Sequence, residues 1–535
     1  LLQAVTGQER GHLERLLQEL SDHALITAAG QGPDGFYAFR HVLIQEAAYR
    51  SLLGPRRRGL HREIATVLER LGDGVEPEQV ALHHGRAGQH EKALEWYQKA
   101  ALRARGRYAL AERVQHLRRA VAHARTLEDG SPRPERELQL LIELGLALID
   151  HRGSGHDEVQ LTFERARELC LQLRDHERLV VALDALALNC HFARSESAQV
   201  LRYAAELDHV AEAARSPLAA LWASRMRSSA RLLRGELEAA RAEMDSVIAR
   251  YRELEAETGR TRTARDPRAS TYGNLAICLT VQGRVVEGRA AADAGIQHAE
   301  RSNSVPTLMA SLRRGCLQGM IVRDEARVLE LATRLLAVNA EHETFTGLRE
   351  GTIALGWAKI GLRGEREALR SMLASLDQLE EARHFVYLPF LMCAVAERAW
   401  QVQDRDSALG LLQRASALAE RTTEVWCEPE LLRLRATLAK ERTKAVALLE
   451  QSLTVARTRG AAWWELRAAT DFAALQVQAG LGAHGRELLG PILARYHPEL
   501  RLADLDRAAG VLAATNERPI PPERAGVAPR ANQVQ

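Results

Sequence analysis

The chain has 535 residues, with 73 basic and 70 acidic side chains and a formal net charge of +3. That balance supplies no long-range field to steer it onto nucleic acid or anionic lipid, so neither is expected as a partner. Hydrophobic residues at 46% and charged residues at 27% mark a foldable chain rather than a disordered one. No stretch approaches the roughly eighteen apolar residues that a membrane helix needs.

The amino terminus, LLQAVTGQERGHLERLL, has no basic start followed by an apolar block, so no signal peptide is expected in it. It reads as the inside of a folded domain, so the chain is expected to belong to a longer polypeptide. Gly11 to Leu20 forms a short helix with Leu13, Leu16, Leu17 and Leu20 on one face. HALITAAG and FYAFR, separated by the turn-rich QGPDG, form a strand hairpin. A helix from His41 to Leu53 follows, ended by Gly54 and Pro55. Helix, hairpin and helix in this order match the end of a winged-helix domain, over residues 1–54.

LHREIATVLERLG, within a linker over 55–77, makes a linking helix that stops at Gly72. Glu76-Pro77-Glu78 then opens a new helix with proline in the tolerated first turn. From there to about Arg495 the chain repeats one unit, two amphipathic helices joined by a tight turn. The first helix of each unit is expected near residues 78, 135, 177, 217, 269, 306, 346, 387, 428 and 463. Intervals near 40 residues are those of a stacked helical-hairpin solenoid. In PEQVALHHGRAGQHEKALEWYQKAALRA the small residues Ala81, Gly85, Ala93 and Ala100 mark close helix approach, while Trp96 and Tyr97 fill the space between layers. Compact repeats occupy 78–127, and a longer array runs over 135–515. Turn signals recur at Gly235 (GELEAA), Gly364 (GEREA) and Asp404 (DRDSA). EDGSPRP, from Glu128 to Pro134, breaks the pattern and is expected to be a hinge. Thr258 to Arg268 is expected to be a protease-sensitive loop. LADLDRAAGVLAA caps the stack, and 516–535, with four prolines, is expected to be disordered. The fold class is therefore all-α: a right-handed, tetratricopeptide-like solenoid with a small winged-helix remnant.

FRHVLIQEAAYRSLL, from Phe39, resembles the end of the winged-helix region in bacterial STAND-class signal-transduction ATPases. RRRGLHREIATVLE and ALHHGRAGQHEKALEWYQKA are similar to the linker and first tetratricopeptide repeat of those proteins. WCEPELLRLRATLAKE, and ELRAATDFAALQVQAGLGAHGRELLGPILARYHPELRLADL, resemble their last repeats. The middle repeats match by periodicity alone. In that family an effector module (a nucleotide cyclase, a DNA-binding domain or a kinase) precedes a P-loop ATPase, the winged helix and the repeats. The resemblance implies that the repeats sense a ligand and control an ATP-dependent switch, with oligomerisation on activation. The ATPase and effector are absent from this sequence, so ATP and magnesium are expected only for the missing upstream domain.

Motifs that carry chemistry are missing. No GxxxxGK[ST] loop occurs, and the five lysines (Lys92, Lys99, Lys359, Lys440, Lys444) all read as mid-helix. There is no HExxH; His83 and His84 diverge by about 100° on a helix and cannot share a metal. Gly153-Ser154-Gly155 is an inter-helix loop rather than a nucleophile elbow. Six scattered cysteines without CxxC spacing read as buried thiols of a reducing, cytoplasmic compartment, with neither zinc nor disulfides. Pro55-Arg56-Arg57-Arg58 reads as a solvated face or a dock for the missing ATPase, not a base-reading element. No catalytic, cofactor or metal residue is assigned, and the chain reads as a non-enzyme. Aromatic side chains anchor interfaces, so Trp426, Trp463 and Trp464 are the candidate partner-binding residues. Because Trp463 and Trp464 are adjacent, one should be partly exposed or buried against a different layer. The leading reading is a sensor scaffold that takes a protein, peptide or small effector on the concave face. The alternatives are the regulatory half of a cyclase-linked ATPase or transcriptional regulator, or a free-standing adaptor.

Overall fold

The computed structural model describes residues 1–29, 36–107, 109–127, 133–190, 197–258, 267–302, 304–342 and 344–515. The QGPDG turn, most of the expected hinge, the centre of the expected loop after Thr258 and the 516–535 tail lie outside the described residues.

The chain opens with α1 (Leu2–Thr6), α2 (Arg10–Asp22), an antiparallel hairpin of β1 (Ile26–Ala29) and β2 (Phe36–Phe39), and α3 (Val42–Ser51). Ile26 lies opposite Phe39 in the ladder. The element order is the expected one, but the region builds almost no core: among the described residues of 1–53, only Ile26 is buried. The next helix, α4 (Gly54–Leu71), starts six residues before the expected Leu60. Pro55 occupies its first turn, where a missing N–H costs nothing, so the Gly-Pro pair starts a helix here.

Then come α5 (Pro77–Arg86), α6 (His90–Gly106), α7 (Leu110–Ala124), α8 (Arg133–Arg152), α9 (Asp157–Leu173) and α10 (His176–Asn189). Each packs against the next from α4 to α9. Gly88, at φ +78°, makes the α5–α6 turn, and Ala81, Ala93 and Ala100 are buried where the helices close on one another. The chain divides into two compact units, residues 1–152 with 157–185, and 153–156 with 186–535. The division falls inside α10.

The second unit continues with α11 (Ser197–Ala214), α12 (Pro217–Leu233), α13 (Leu237–Thr258), α14 (Pro267–Val281), α15 (Val285–Arg301), α16 (Val305–Val322), α17 (Glu325–His342) and α18 (Phe345–Arg363). It ends with α19 (Ala368–Glu381), α20 (Leu388–Gln401), α21 (Arg405–Thr422), α22 (Glu428–Thr437), α23 (Arg442–Arg459), α24 (Ala462–Gln478), α25 (Gly482–Leu493) and α26 (Ala503–Ala514). The expected first-helix starts agree with the observed ones to within two residues along the whole array. Asp404 caps α21 by accepting from the Ser407 amide at 3.1 Å, and Gly364, at φ +67°, ends α18 in the left-handed conformation. Lys440 departs from expectation. It lies in the α22–α23 turn, not in a helix.

Even-numbered helices from α12 to α26 each pack on the next even-numbered one, forming an inner layer, with the odd-numbered helices packed between them. Gly319 permits part of this: a Cβ there would lie 2.7 Å from Val328 Cγ2 of the neighbouring α17. One apolar core runs continuously from Leu232 to Ala508. The chain is thus an all-α, tetratricopeptide-like stack of helical hairpins. Among the described residues no helix is long and apolar enough to cross a membrane.

Candidate functional site: a charged core among the inner helices

The inner helices of a solenoid ordinarily present one face to their neighbours and leave the other for ligands. In the second unit both faces of several inner helices are covered. Every residue of α20 from Leu388 to Ala396 is buried. Trp463 Nε1 donates to the Ile321 carbonyl at 3.1 Å, and the Tyr387 hydroxyl to Asn274 Oδ1 at 2.9 Å, closing chain separations of 142 and 113 residues. Helices α14 and α24 also touch directly. Inner surface in this unit is therefore packed against itself.

Among these apolar helices lie charged residues placed one helical turn apart: Glu430 and Arg433 on α22, Arg467 and Asp471 on α24, Asp504 and Arg507 on α26. Glu397 of α20 sits at their centre. Its Oε1 accepts from Arg433 Nη2 at 2.7 Å, from Arg467 Nη2 at 2.8 Å, and from Arg323, the residue that ends α16. Arg433 also forks onto Glu430 at 2.7 and 2.8 Å and reaches Asp471 at 2.7 Å. Asp504 faces Arg323 at 3.3 Å, and Arg507 closes on Asp471 at 2.6 Å. Arg323, Arg433, Arg467 and Arg507 thus balance Glu397, Glu430, Asp471 and Asp504. The side chains of Arg433 and Arg467 are each 4% exposed.

Burial disfavours the charged forms of Glu397, Asp471 and Arg467, and the neighbours decide the outcome. For Glu397, burial is outweighed by Arg323, Arg467 and Arg433, which hold its carboxyl well below the usual range. Asp471 is lowered in the same way, with burial overcome by Arg433 and Arg507. Arg467 goes the other way: burial, then Arg323 and Arg433, depress its guanidinium. Such a cluster holds its charges by mutual pairing, and loss of one partner strands the others away from water.

Two smaller polar groups join further helices. Glu350 of α18 accepts from Arg313 of α16 and meets His384 Nε2 at 3.2 Å. Glu424, in the α21–α22 connection, is fully buried; it accepts from the Tyr387 amide at 3.0 Å and from Trp426 Nε1 at 2.8 Å. Burial pushes its carboxyl up to about 8 against the pull of those two donors. Tyr387 adopts φ +62° at the start of α20, and the Arg314 guanidinium stacks 4.3 Å over its ring.

Trp426, Trp463 and Trp464, expected from the sequence to bind a partner, are each 0% exposed. Trp463 packs edge-on against Tyr496, whereas Trp464 faces Phe390 and Arg467, so the adjacent indoles do meet different neighbours. Neither ring is offered to solvent. Of the seven tryptophans only Trp400 is exposed. All six cysteines are buried. His83 and His84 diverge: His83 meets His61, and His84 lies between Glu69 and Gln89. Ser154 lies in a loop whose carbonyl accepts from Asn189. Open clefts lie elsewhere. One of about 640 Å³ between α11, α12 and α13 is lined by Asp208, Glu212, Arg215, Arg250 and Glu253. Another of about 500 Å³ on α6–α8 is lined by Glu95, Lys99, Leu102, Arg105, Arg113 and Glu143.

No protein-family model matches the chain. It is similar to a curated relative, an uncharacterized protein of Rhizobium meliloti (strain 1021), at 24% identity over 437 residues. The match takes in 79% of this chain and 42% of the relative, so the chain spans about two-fifths of the relative's length. Among solved structures it is similar to apo RapI, at 12% identity and TM-score 0.38, over 50% of this chain and 98% of that one. A Rap protein complexed with competence and sporulation factor matches at 14% identity and TM-score 0.33, over 79% and 96%. A signal transduction ATPase with numerous domains and a tetratricopeptide repeat sensor, from Pyrococcus horikoshii, matches at 11% identity and TM-score 0.34, over 71% and 60%.

Proposed function

We propose that this chain is the sensing and docking portion of a larger ATP-dependent signalling protein and has no catalysis of its own. Its helical hairpins receive a protein, peptide or small effector. Residues 1–53, a winged-helix remnant, dock on an ATPase domain encoded upstream, and the two together set the switch. The observation that carries this reading is the apolar surface of the first 53 residues. Phe36, Phe39, Val42, Leu43 and Leu53 are all exposed, Leu53 to 79%, beside a single buried residue among those described. An apolar face of this kind marks an interaction site in a folded protein. The greater length of the Rhizobium relative leaves room for such a domain. Because the inner layer is closed, effector binding falls to the open clefts on α6–α8 and α11–α13, whose mixed charges suit a polar ligand or peptide. This differs from a ligand seated along the concave face.

The reading is tested by nucleotide binding and hydrolysis, comparing this chain with the natural polypeptide extended upstream of Leu1. Only the extended protein should bind and turn over ATP. Tight ATP binding by this chain alone, or no ATP turnover by the extended one, contradicts the proposal.

A further inference from the structure

Helices α6, α7 and α8 run alternately up and down. His90 meets His123 at 3.0 Å and Arg107 meets Glu112 at 3.4 Å, so the start of α6 lies beside the end of α7 and the reverse. Arg125 meets Glu137 at 2.8 Å and Arg113 meets Asp150 at 3.5 Å, which sets α8 against α7 in the same way. The cleft of about 500 Å³ along these three helices therefore has two ends, and they differ in charge. Arg105 and Arg113 line one end, Glu95 and Glu143 the other.

Glu95 and Arg105 are ten residues apart in α6, about 15 Å along its axis. Glu143 stands seven residues before Asp150 in α8, about 10 Å short of the Arg113 end. Between the ends lie Leu102, 65% exposed, and the buried Leu117. Lys99, midway, holds its ammonium 3.8 Å from the centre of the Trp96 ring.

The basic end is short of anions. Arg105 has no ion pair among the described residues, and Arg113 meets a carboxylate only at 3.5 Å, although its side chain is 14% exposed. Burial lowers the Arg113 guanidinium, Asp150 offsets this in part, and Arg105 adds to it. A guanidinium presents its N–H donors as a fork that fits a carboxylate. At the acidic end Glu95 has no ion pair among the described residues, and Glu143 accepts only from Gln139, at 3.2 Å.

We propose that this cleft takes a short peptide of about three or four residues with free ends, its carboxylate on Arg105 and Arg113 and its ammonium at Glu95 and Glu143. An extended chain advances about 3.3–3.6 Å per residue, so this length matches the roughly 10–15 Å between the charged ends. Apolar side chains of the peptide lie against Leu102 and Leu117. The inference rests on the reading that effectors use the open clefts. It is measured on this chain alone, so its failure leaves the ATP prediction standing.

The test is calorimetric titration of the full chain with the tetrapeptide Ala-Leu-Leu-Ala. Its N-acetyl form, its C-terminal amide and free leucine, which cannot span the cleft, are titrated beside it. The free tetrapeptide should bind. Each blocked form, and leucine, should bind at least roughly tenfold more weakly, as expected for one lost hydrogen-bonded charge. Arg105→Gln should shrink the preference for carboxylate over amide, and Glu95→Gln that for ammonium over acetyl. Both residues are exposed, so neither substitution disturbs the core. No binding of the tetrapeptide, equal binding of a blocked form or of leucine, or an unchanged preference in either variant overturns the proposal.

Discussion

The first 53 residues and the inner layer of the second unit are built from similar side chains and treat them in opposite ways. The first region leaves Phe36, Phe39 and Leu43 in water and buries one residue among those described. The inner layer buries long runs of its helices, down to the charges of Arg433 and Arg467, with Glu397 partly buried between them. Regular stacking lets each hairpin cover the next, so even polar side chains are drawn away from water and must pair. A short helix–hairpin–helix has too few layers to cover itself. Its apolar side chains stay exposed, whereas the charged core ties the inner helices to one another.

The sharpest way to break the contrast is Glu397→Leu, which strands Arg323, Arg433 and Arg467. It should cost roughly 3–5 kcal/mol in denaturant unfolding, more than an apolar gain at the same position can offset. Trp464→Ala, which empties a fully buried indole site, should cost a similar ~3–5 kcal/mol. Replacing Glu430 and Arg433 singly and together should give a coupling energy of roughly 0.5–3 kcal/mol, and additivity would show that the fork does not hold α22. A gentler probe is Glu424→Gln. A carboxyl raised to about 8 contributes stability that is complete below 4.5 and lost as pH rises through 8. The substitution should flatten stability against pH across that window, and an unchanged slope would assign it to other groups. At the far end, Phe39→Ser should stay within roughly 0.5 kcal/mol in this chain, because Phe39 is 45% exposed.

Much of the fold was legible because each hairpin announces itself locally. A turn glycine or aspartate followed by a charged residue and an alanine places helix starts to within two residues from α12 to α24. The charged core was not legible, since Glu397 and Arg323 are 74 residues apart and only three-dimensional stacking joins them. A signal was present nevertheless in GluLeuLeuArg on α22 and in AspLeuAspArg on α26, opposite charges at one-turn spacing. The tryptophans are a different case. Adjacency proves that Trp463 and Trp464 face different neighbours, and a closed inner layer supplies two buried neighbours where an open groove would have supplied one.

The most direct measurement of the docking claim is hydrogen exchange over residues 36–53 in this chain and in the natural polypeptide extended upstream, at pH 7. Strong added protection of β2 and α3 in the longer protein, with α20 unchanged, is the predicted result. Equal exchange in both would mean that nothing upstream covers this face, and the docking account would fail.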